Sequence, residues 1–140
     1  MNRQQLLKHI LHSVQQDARD YPRLQQHLET QFTATLTHDS ERLQACAAVI
    51  TELCEQLDTR RRQRLQWIAQ VLPQGQVASI PAVLALLPRV LRAPCQQCWQ
   101  SVLDTAVQCR ELNLRNGQLL QQHHAMLRRI FEGEMHVYTE

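Results

Sequence analysis

Two cysteines spaced three positions apart are the residues best placed for metal or redox chemistry. Cys95 and Cys98 form a C-x-x-C motif. A thioredoxin-like redox role needs a βαβ setting, for which the sequence shows no strand, and structural zinc needs four ligands, usually as two pairs. Cys109, His123 and His124 follow on the same helix, but their spacing does not supply a second pair. We therefore expect no metal and no cofactor, and we interpret both cysteines of the motif as small apolar residues on a buried helix face.

The densest charge on the chain is a basic run at residues 60–64, with the sequence Arg60-Arg61-Arg62-Gln63-Arg64. Clustered arginines can bind nucleic-acid phosphates. This run has little aromatic company, and the formal net charge of the whole chain is only +2. We interpret it as a solvated face near the end of a helix, where cations interact favourably with the helix dipole. We therefore expect no nucleic-acid partner, and a nucleic-acid-binding bundle that uses Arg60–Arg64 stays an alternative.

The titratable residues do not form an enzymatic motif. Among the seven histidines, His9 and His12 lie three apart and His123 and His124 are adjacent. Neither pair has a carboxylate arranged for general-base work. The sequence also lacks a nucleophile elbow, a P-loop and the repeated Glu-x-x-His of bundle metalloenzymes. We predict that the protein is not an enzyme and that its role is to bind another protein.

Composition favours a single helical domain, residues 1–140. The chain is 44% hydrophobic, 20% charged and only 4% aromatic, which is typical of a globular core made of aliphatic residues. Five cysteines without regular spacing favour a reducing, cytoplasmic location. Residues Met1–His12 lack the apolar region of a signal peptide, and the apolar run Val77–Leu91 is too short to span a bilayer. We therefore expect no membrane insertion.

Apolar residues at helical spacing predict two long helices in the first half of the chain. The first covers about Asn2–Thr37 and keeps its register across Pro22, so we predict one continuous, kinked helix. The second covers about Asp39–Val71 with Asp39 or Ser40 as its N-cap. The predicted buried stripes are Leu6, Ile10, Val14, Tyr21, Leu24, Leu28, Phe32 and Thr35 on the first helix, and Leu43, Ala47, Ile50, Cys54, Leu57, Arg61, Leu65 and Ile68 on the second. Helices of this length predict an elongated antiparallel hairpin.

The second half begins with breaks and ends with a third long helix. Pro73 and Gly75 interrupt the chain, and Ser79 should cap a short apolar helix over about Ile80–Leu87. A third long helix is predicted over about Pro94–Glu132, followed by a flexible tail at residues 133–140. The predicted fold is thus all-α: an elongated antiparallel bundle of three long helices, with a short apolar helix before the last one.

Residues 109–120 contain the most specific pattern of the chain. Asn113 and Asn116 fall on a stripe that should be apolar, where a polar residue lowers stability but fixes register and partner. Gly117 costs about 1 kcal/mol relative to alanine inside a helix, so it needs a reason. Close approach of another backbone is one reason. The other possible reason is that the helix ends at Gly117. The stripe resumes in register at Leu120, which argues against such an end.

This block, N-x-x-N-G-x-L-L over Asn113–Leu120, resembles the FlgN family of flagellar type III export chaperones. Weaker similarities extend along nearly the whole chain. The segment Phe32–Leu36 followed by Asp39 looks like the junction between the family's first two helices, and Leu57–Arg62 resembles its basic, late second helix. The proline-broken apolar insert before the last helix also fits.

The resemblance implies a cytoplasmic chaperone without covalent chemistry. Family members bind the hook–filament junction proteins, also called hook-associated proteins, prevent their premature assembly, and deliver them to the export gate and its ATPase. The family binds its clients through the C-terminal part of the last helix and the tail. Tyr138 resembles the family's tail tyrosine, but the glycine-containing stretch that follows it in many members has no counterpart here. Tail-mediated docking is therefore not implied for this chain.

Helix-in-groove recognition would let such a chaperone cover the apolar stripe of a client helix. We expect the end of the bundle near the last helix to be thinly covered in the free protein, which leaves an apolar groove. The predicted partner-binding residues are Asn113, Asn116, Gly117, Leu120, Leu127, Ile130, Phe131 and Tyr138. An uncovered groove also favours self-association, so a homodimer stays open, as does a generic helical adaptor with another client.

Overall fold

The structure is a computed structural model that describes the backbone of residues 1–139 and the side chains of residues 1–122, 125 and 129. This part of the chain forms four α-helices and no strand: α1 (Arg3–Leu36), α2 (Ser40–Val71), α3 (Ile80–Leu84) and α4 (Arg89–Thr139). The predicted all-α fold, with three long helices and a short apolar one before the last, is confirmed. No described helix combines the length and the apolar character that crossing a membrane requires.

Helix α1 begins with a capping box and runs without a break through Pro22. The Asn2 side chain accepts a hydrogen bond from the Gln5 backbone N–H at 2.9 Å, and the Gln5 side chain accepts one from the Asn2 N–H at 3.0 Å. Two backbone donors of the first turn are thereby satisfied. The stripe predicted on α1 is buried or half-buried along its whole length, which confirms its register across Pro22.

A tight turn at residues 37–39 reverses the chain between α1 and α2. His38 adopts a φ of 55°, and the Asp39 backbone N–H donates to the Ala34 carbonyl at 2.9 Å. The Asp39 carboxylate accepts from the Arg42 N–H at 3.1 Å, so Asp39 is the N-cap of α2, one of the two residues predicted. The two helices therefore form an antiparallel hairpin.

The short helix α3 closes the lower end of the bundle, where α2 ends and α4 begins. Ser79 Oγ accepts from the Ala82 N–H at 3.3 Å, which confirms Ser79 as the cap. The helix ends at Leu84 rather than at Leu87, and Arg92 Nε of α4 donates to the Leu87 carbonyl at 3.0 Å. This bond joins the end of the α3 segment to the first turns of α4.

Helix α1 occupies the centre of the bundle and contacts both α2 and α4, whereas the backbones of α2 and α4 scarcely approach each other in the described part of the chain. Two apolar clusters fill the interior. The lower cluster contains Ile10, Val14, Ile68, Leu72, Ile80, Val83, Leu84, Leu87 and Val102, and the upper cluster contains Leu24, Leu28, Leu53, Leu57 and Cys109. The arrangement therefore buries a helix-on-helix core on two sides of α1 and leaves one side between α2 and α4 open.

A layer of ion pairs, here called the ion layer, separates the two clusters and consists of Asp17 and Asp20 of α1 with Arg60 and Arg64 of α2. Arg60 donates to Asp17 at 2.7 Å and to Asp20 at 2.8 Å. Arg64 donates to the second oxygen of Asp17 at 2.9 Å and to Ser13 Oγ at 3.3 Å. Because these charges are buried together with hydrogen-bonded partners, each one is compensated.

The ion layer corrects our interpretation of residues 60–64 as a solvated face. Arg64 is only 6% exposed. Burial disfavours the charged form of Arg60, but its hydrogen bonds to Asp17 and Asp20 outweigh burial and raise its pKa. Only Arg61 and Arg62 of the run stay exposed among its arginines, and both pair with Asp58. In the sequence, Asp17 occupies a polar position between Val14 and Tyr21 of the α1 stripe, and this spacing does not reveal its partners.

The ion layer also rotates α2 away from the predicted orientation. The buried residues of α2 are Cys46, Leu53, Leu57, Arg64 and Ile68. In the predicted stripe, Leu57 and Ile68 are buried, but Ala47, Cys54 and Leu65 are exposed. The stripe was therefore wrong in phase, because the carboxylates of α1 turn Arg64 inward and the apolar edge of α2 turns outward.

Helix α4 is longer than predicted at both ends. It begins at Arg89 and includes Pro94, where we had expected the helix to start. Pro94 is the sixth residue of the helix, so the hydrogen bond that a backbone N–H at this position would donate to the Val90 carbonyl is missing, and the helix continues through it. The helix continues to Thr139, through the stretch in which we predicted a tail from residue 133. The flexibility of that stretch stays a prediction.

Candidate partner-binding site

An open groove of about 320 Å³ lies between α2 and α4, with α1 as its floor. It exists because α1 holds both neighbours while α2 and α4 stay apart. The groove is lined by Tyr21, Leu24 and Leu28 from α1, by Ile50, Cys54, Leu57, Asp58 and Arg61 from α2, and by Ala106, Cys109, Arg110 and Asn113 from α4. We call this surface the α2–α4 groove.

The α2–α4 groove combines an apolar floor with charged walls. Leu24, Leu28 and Leu57 belong to the upper apolar cluster, so the floor is part of the core. On the α2 wall, Arg61 donates to Asp58 at 2.9 Å. On the α4 wall, Arg110 is exposed, and its guanidinium forms no hydrogen bond or ion pair within the described part of the chain. An apolar floor between polar walls is the form of a protein-binding groove.

Two thiols face the interior of the α2–α4 groove. Cys54 is exposed, and desolvation raises the pKa of its thiol. Cys109 is buried, and desolvation with a smaller effect of Cys54 raises its pKa to about 11. The Cys109 thiol donates weakly to the Tyr21 carbonyl at 3.5 Å. Both cysteines are free and protonated at neutral pH, so neither is an activated nucleophile.

Asn116, one of the predicted partner-binding residues, contacts the chain's own α1. Its side-chain amide donates to the Leu28 carbonyl at 2.7 Å and to the Gln31 side chain at 2.8 Å, and it is 1% exposed. Arg115 donates to the side-chain oxygen Oδ1 of Asn116 at 3.2 Å and stacks over the Phe32 ring at 3.7 Å. Asn116 thus joins α4 to α1 at the upper end of the groove. A role for it in partner binding stays a prediction.

Asn113 and Gly117 differ from Asn116 in their surroundings. Asn113 is exposed and lines the α2–α4 groove. Among the described residues, a Cβ added at Gly117 would meet no atom within 4 Å, so no other described backbone approaches it closely. The helix also continues past Gly117, so the C-cap alternative is wrong. Nothing within the described chain explains a glycine at this position.

The remaining predicted residues lie on the upper part of α4. Leu120 is half-buried. The side chains of Leu127, Ile130, Phe131 and Tyr138 lie outside the described residues. The structure therefore places Asn113 in the groove and Asn116 and Leu120 near its upper end. The arrangement of the side chains of Leu127, Ile130, Phe131 and Tyr138 stays a prediction.

Helix α4 extends beyond the ends of α1 and α2 at the upper end of the bundle. Cross-helix hydrogen bonds join residues of α1 and α4 that are 83 to 88 positions apart in sequence and show that the two helices run parallel. Adding this separation to Leu36 places the end of α1 beside residues 119–124. Helix α4 continues to Thr139, about 15 residues further, which corresponds to about 22 Å at 1.5 Å per residue.

The C-x-x-C motif lies at the opposite end of the bundle. Cys95 and Cys98 are half-buried and line a smaller cavity of about 250 Å³ with Leu11, Val14 and Leu91. Among the described residues, no three His, Cys, Asp or Glu side chains lie together in a way that could hold a metal ion. The apolar surroundings agree with our interpretation of both cysteines as packing residues.

Sequence reasoning missed the α2–α4 groove itself. Its α2 wall contains Ile50, Cys54, Leu57 and Arg61, all of which belong to the stripe that we had predicted as buried. The available signal was the conflict between that stripe and a second one through Leu57, Arg64 and Ile68, which also repeats at helical spacing. Only the carboxylates of α1 decide between the two.

Comparison with protein families gives one match: the family model described as "FlgN protein" covers residues 1–132. Comparison with curated proteins and with solved structures finds no significant match.

Proposed function

Because the chain belongs to the FlgN family of flagellar export chaperones, we propose that it binds hook–filament junction proteins in the cytoplasm, prevents their premature assembly and delivers them to the type III export apparatus. The family is a chaperone family, and we propose no catalytic step for this member. The client would be a helical terminal segment of a junction protein, since such segments have apolar stripes that are exposed before assembly.

The observation that carries this proposal is the length of α4. The helix extends beyond the turn that joins α1 and α2, so neither of its neighbours reaches its last turns along the bundle axis. In sequence this part of α4 contains apolar residues at helical spacing, namely Leu120, Leu127 and Ile130, with Phe131 beside them. A helix that projects from a bundle with an apolar face is suited to bind a client helix through i, i+3, i+4 and i+7 anchors.

The ion layer disfavours the nucleic-acid alternative. Arg60 and Arg64 are committed to Asp17 and Asp20, and Arg61 and Arg62 share Asp58. Few free cations therefore remain in the run to neutralise phosphates. No observation favours this alternative over the chaperone.

The experiment is a pull-down of the terminal helical segments of the junction proteins from the same organism, followed by sizing of the complex. A stoichiometric soluble complex is expected. The variant Leu127→Asp/Ile130→Asp should abolish capture and leave the helical content and unfolding of α1 and α2 unchanged. The matched control is Leu114→Asp, which changes an apolar residue that is 59% exposed on α4 within the bundle. Undiminished capture by the double variant, or no complex with any junction protein, would contradict the proposal.

A further inference from the structure

The α2–α4 groove is an empty position in the helix bundle. Three helices surround it on two walls and a floor, and its lining on α2 runs from Ile50 to Arg61. These 12 residues correspond to about 17 Å, or three helical turns. The fourth position of a helical bundle is the place where another helix packs side by side with its neighbours.

The pattern on α2 indicates what fills this position. The α2 sequence carries an apolar stripe at heptad-like spacing from Leu43 to Ile68, but the ion layer rotates the helix so that Ala47, Cys54 and Leu65 of this stripe stay exposed. A continuous stripe with this spacing complements the side chains of a second helix by knobs-into-holes packing. The chain itself buries only one edge of it. Of these exposed residues Cys54 lines the α2–α4 groove, so this part of the stripe is open to a helix from outside the described residues.

The charges on the walls select among helices. Arg61 on α2 and Arg110 on α4 both line the groove. Asp58 is shared between Arg61 and Arg62, and these hydrogen bonds hold its pKa below the ordinary value for an aspartate. The lining of the groove therefore carries two arginines and one aspartate, a net charge of +1, and Arg62 beside it adds a further positive charge on the α2 side. An incoming helix with carboxylates flanking its apolar stripe is attracted on both sides, whereas a basic one is repelled.

This charge argument disfavours a second copy of the chain as the occupant. The apolar segment at residues 119–131 is the part of a second copy most free to enter the groove. It contains Arg128 and Arg129 and no acidic residue. Its charge has the wrong sign for walls that carry Arg61 and Arg110.

We infer that the α2–α4 groove is a second client-binding site, which takes an amphipathic helix with an acidic edge from the exported protein. The inference rests on the proposed chaperone function for the source of the helix, and the groove itself is independent of the end of α4. A client with two helical segments would use the last turns of α4 for one and the groove for the other.

Cys54 provides a direct probe of occupancy, because it is exposed in the groove of the free protein. Alkylation of the full chain is measured site by site with and without a saturating terminal helical segment of a junction protein. Cys54 should be protected at least fivefold, a size that reflects exclusion of reagent from a covered thiol. Cys98 lines the cavity at the other end of the bundle and should be unaffected.

Charge reversal tests the predicted chemistry of the occupant. The variant Arg61→Glu/Arg110→Glu should weaken binding roughly tenfold, since attraction at two walls becomes repulsion. The matched control is Arg19→Glu, which reverses an exposed arginine of α1 that does not line the groove, and binding should change less than about twofold. All three arginines are exposed or paired at the surface, so the variants should fold.

The outcomes separate this inference from the proposed function. A segment that binds while Cys54 stays fully reactive and the double reversal has no effect overturns the groove and leaves the chaperone intact. If no junction-protein segment binds, a designed 20-residue peptide with a leucine stripe flanked by glutamates is compared with its lysine-flanked counterpart. Preferential protection of Cys54 by the glutamate peptide supports the groove, and equal or no protection overturns it. Protection that rises with protein concentration alone, together with a dimer on sizing, assigns the groove to a second copy and also overturns the inference.

Discussion

Removal of Asp17 should destabilise the bundle more than any other single change in the ion layer. Asp17 is 2% exposed and accepts from both Arg60 and Arg64. In Asp17→Ala, Arg60 keeps Asp20, whereas Arg64 loses the only carboxylate it contacts among the described residues. Ser13 Oγ at 3.3 Å and the Trp99 ring at 5.6 Å are then its remaining partners.

The expected loss is about 3–5 kcal/mol, because one partner of a buried pair is removed and the other charge stays buried. A domain of this size has a free energy of unfolding of about 5–15 kcal/mol. With an m-value of about 2 kcal/mol per M, the urea midpoint should fall by about 2 M. Urea unfolding followed by far-UV circular dichroism measures the loss, and the fluorescence of Trp67 and Trp99 provides a second probe of the same transition.

Two companion variants make the reasoning refutable. In Asp20→Ala, Arg60 keeps its ion pair with Asp17, and no fully buried cation is left without a partner. The free energy of unfolding should therefore fall by only about 1–2 kcal/mol. Asp17→Leu/Arg64→Met removes both charges and should recover most of the stability that Asp17→Leu alone loses, since apolar replacement of a buried pair is often neutral. A loss below about 1 kcal/mol for Asp17→Ala, or a double variant no more stable than Asp17→Leu, would refute the account.

Three further predictions concern the groove and its upper end. Gly117→Ala should raise the free energy of unfolding by about 0.5–1 kcal/mol in urea titration, because no atom lies within 4 Å of the added Cβ; a decrease would point to a contact that the structure lacks. Asn116→Ala should lower it by about 1–3 kcal/mol, because the buried hydrogen bonds to Leu28 and Gln31 are lost, and an unchanged urea midpoint would contradict this. Burial raises the pKa of the Cys109 thiol to about 11, so about one thiol in a thousand is ionised at pH 8. The rate of its alkylation, measured by mass spectrometry, should therefore rise about tenfold per pH unit up to pH 11. A plateau near pH 8 would show that the thiol is not held protonated by burial.

The orientation of α1 could be predicted from the sequence because its apolar residues fit only one helix face. Leu6, Ile10, Val14, Leu24 and Leu28 share one face, and all are buried. Continuity across Pro22 followed from the register of that face alone. The caps Asp39 and Ser79 were equally readable, since each residue type satisfies backbone donors at a helix start by a local hydrogen bond.

The orientation of α2 could not be read in the same way. Its sequence offers two stripes that share Leu57 and Ile68, and the apolar content alone favours the stripe with Leu65 over the one with Arg64. The choice is made by Asp17 and Asp20 on a different helix, so it depends on a tertiary pairing. The predicted partner-binding residues followed the family resemblance toward the end of α4, and resemblance carried no information about a groove formed by three separate helices.

The separation of α2 from α4 leaves the width of the α2–α4 groove set by the contacts of these two helices with α1. Along the groove the described residues connect the two walls through α1, and below it Arg64 stacks on Trp99 and α3 joins the helix ends. A swing of α4 about this lower end would widen the groove like a jaw with its pivot at the base, a motion of the hinge type. It would strain the α1–α4 bonds at Asn116 and leave the α1–α2 hairpin with its ion layer untouched. The α1–α2 hairpin would stay fixed during such a swing, and the same groove would then accommodate client helices with larger or smaller side chains.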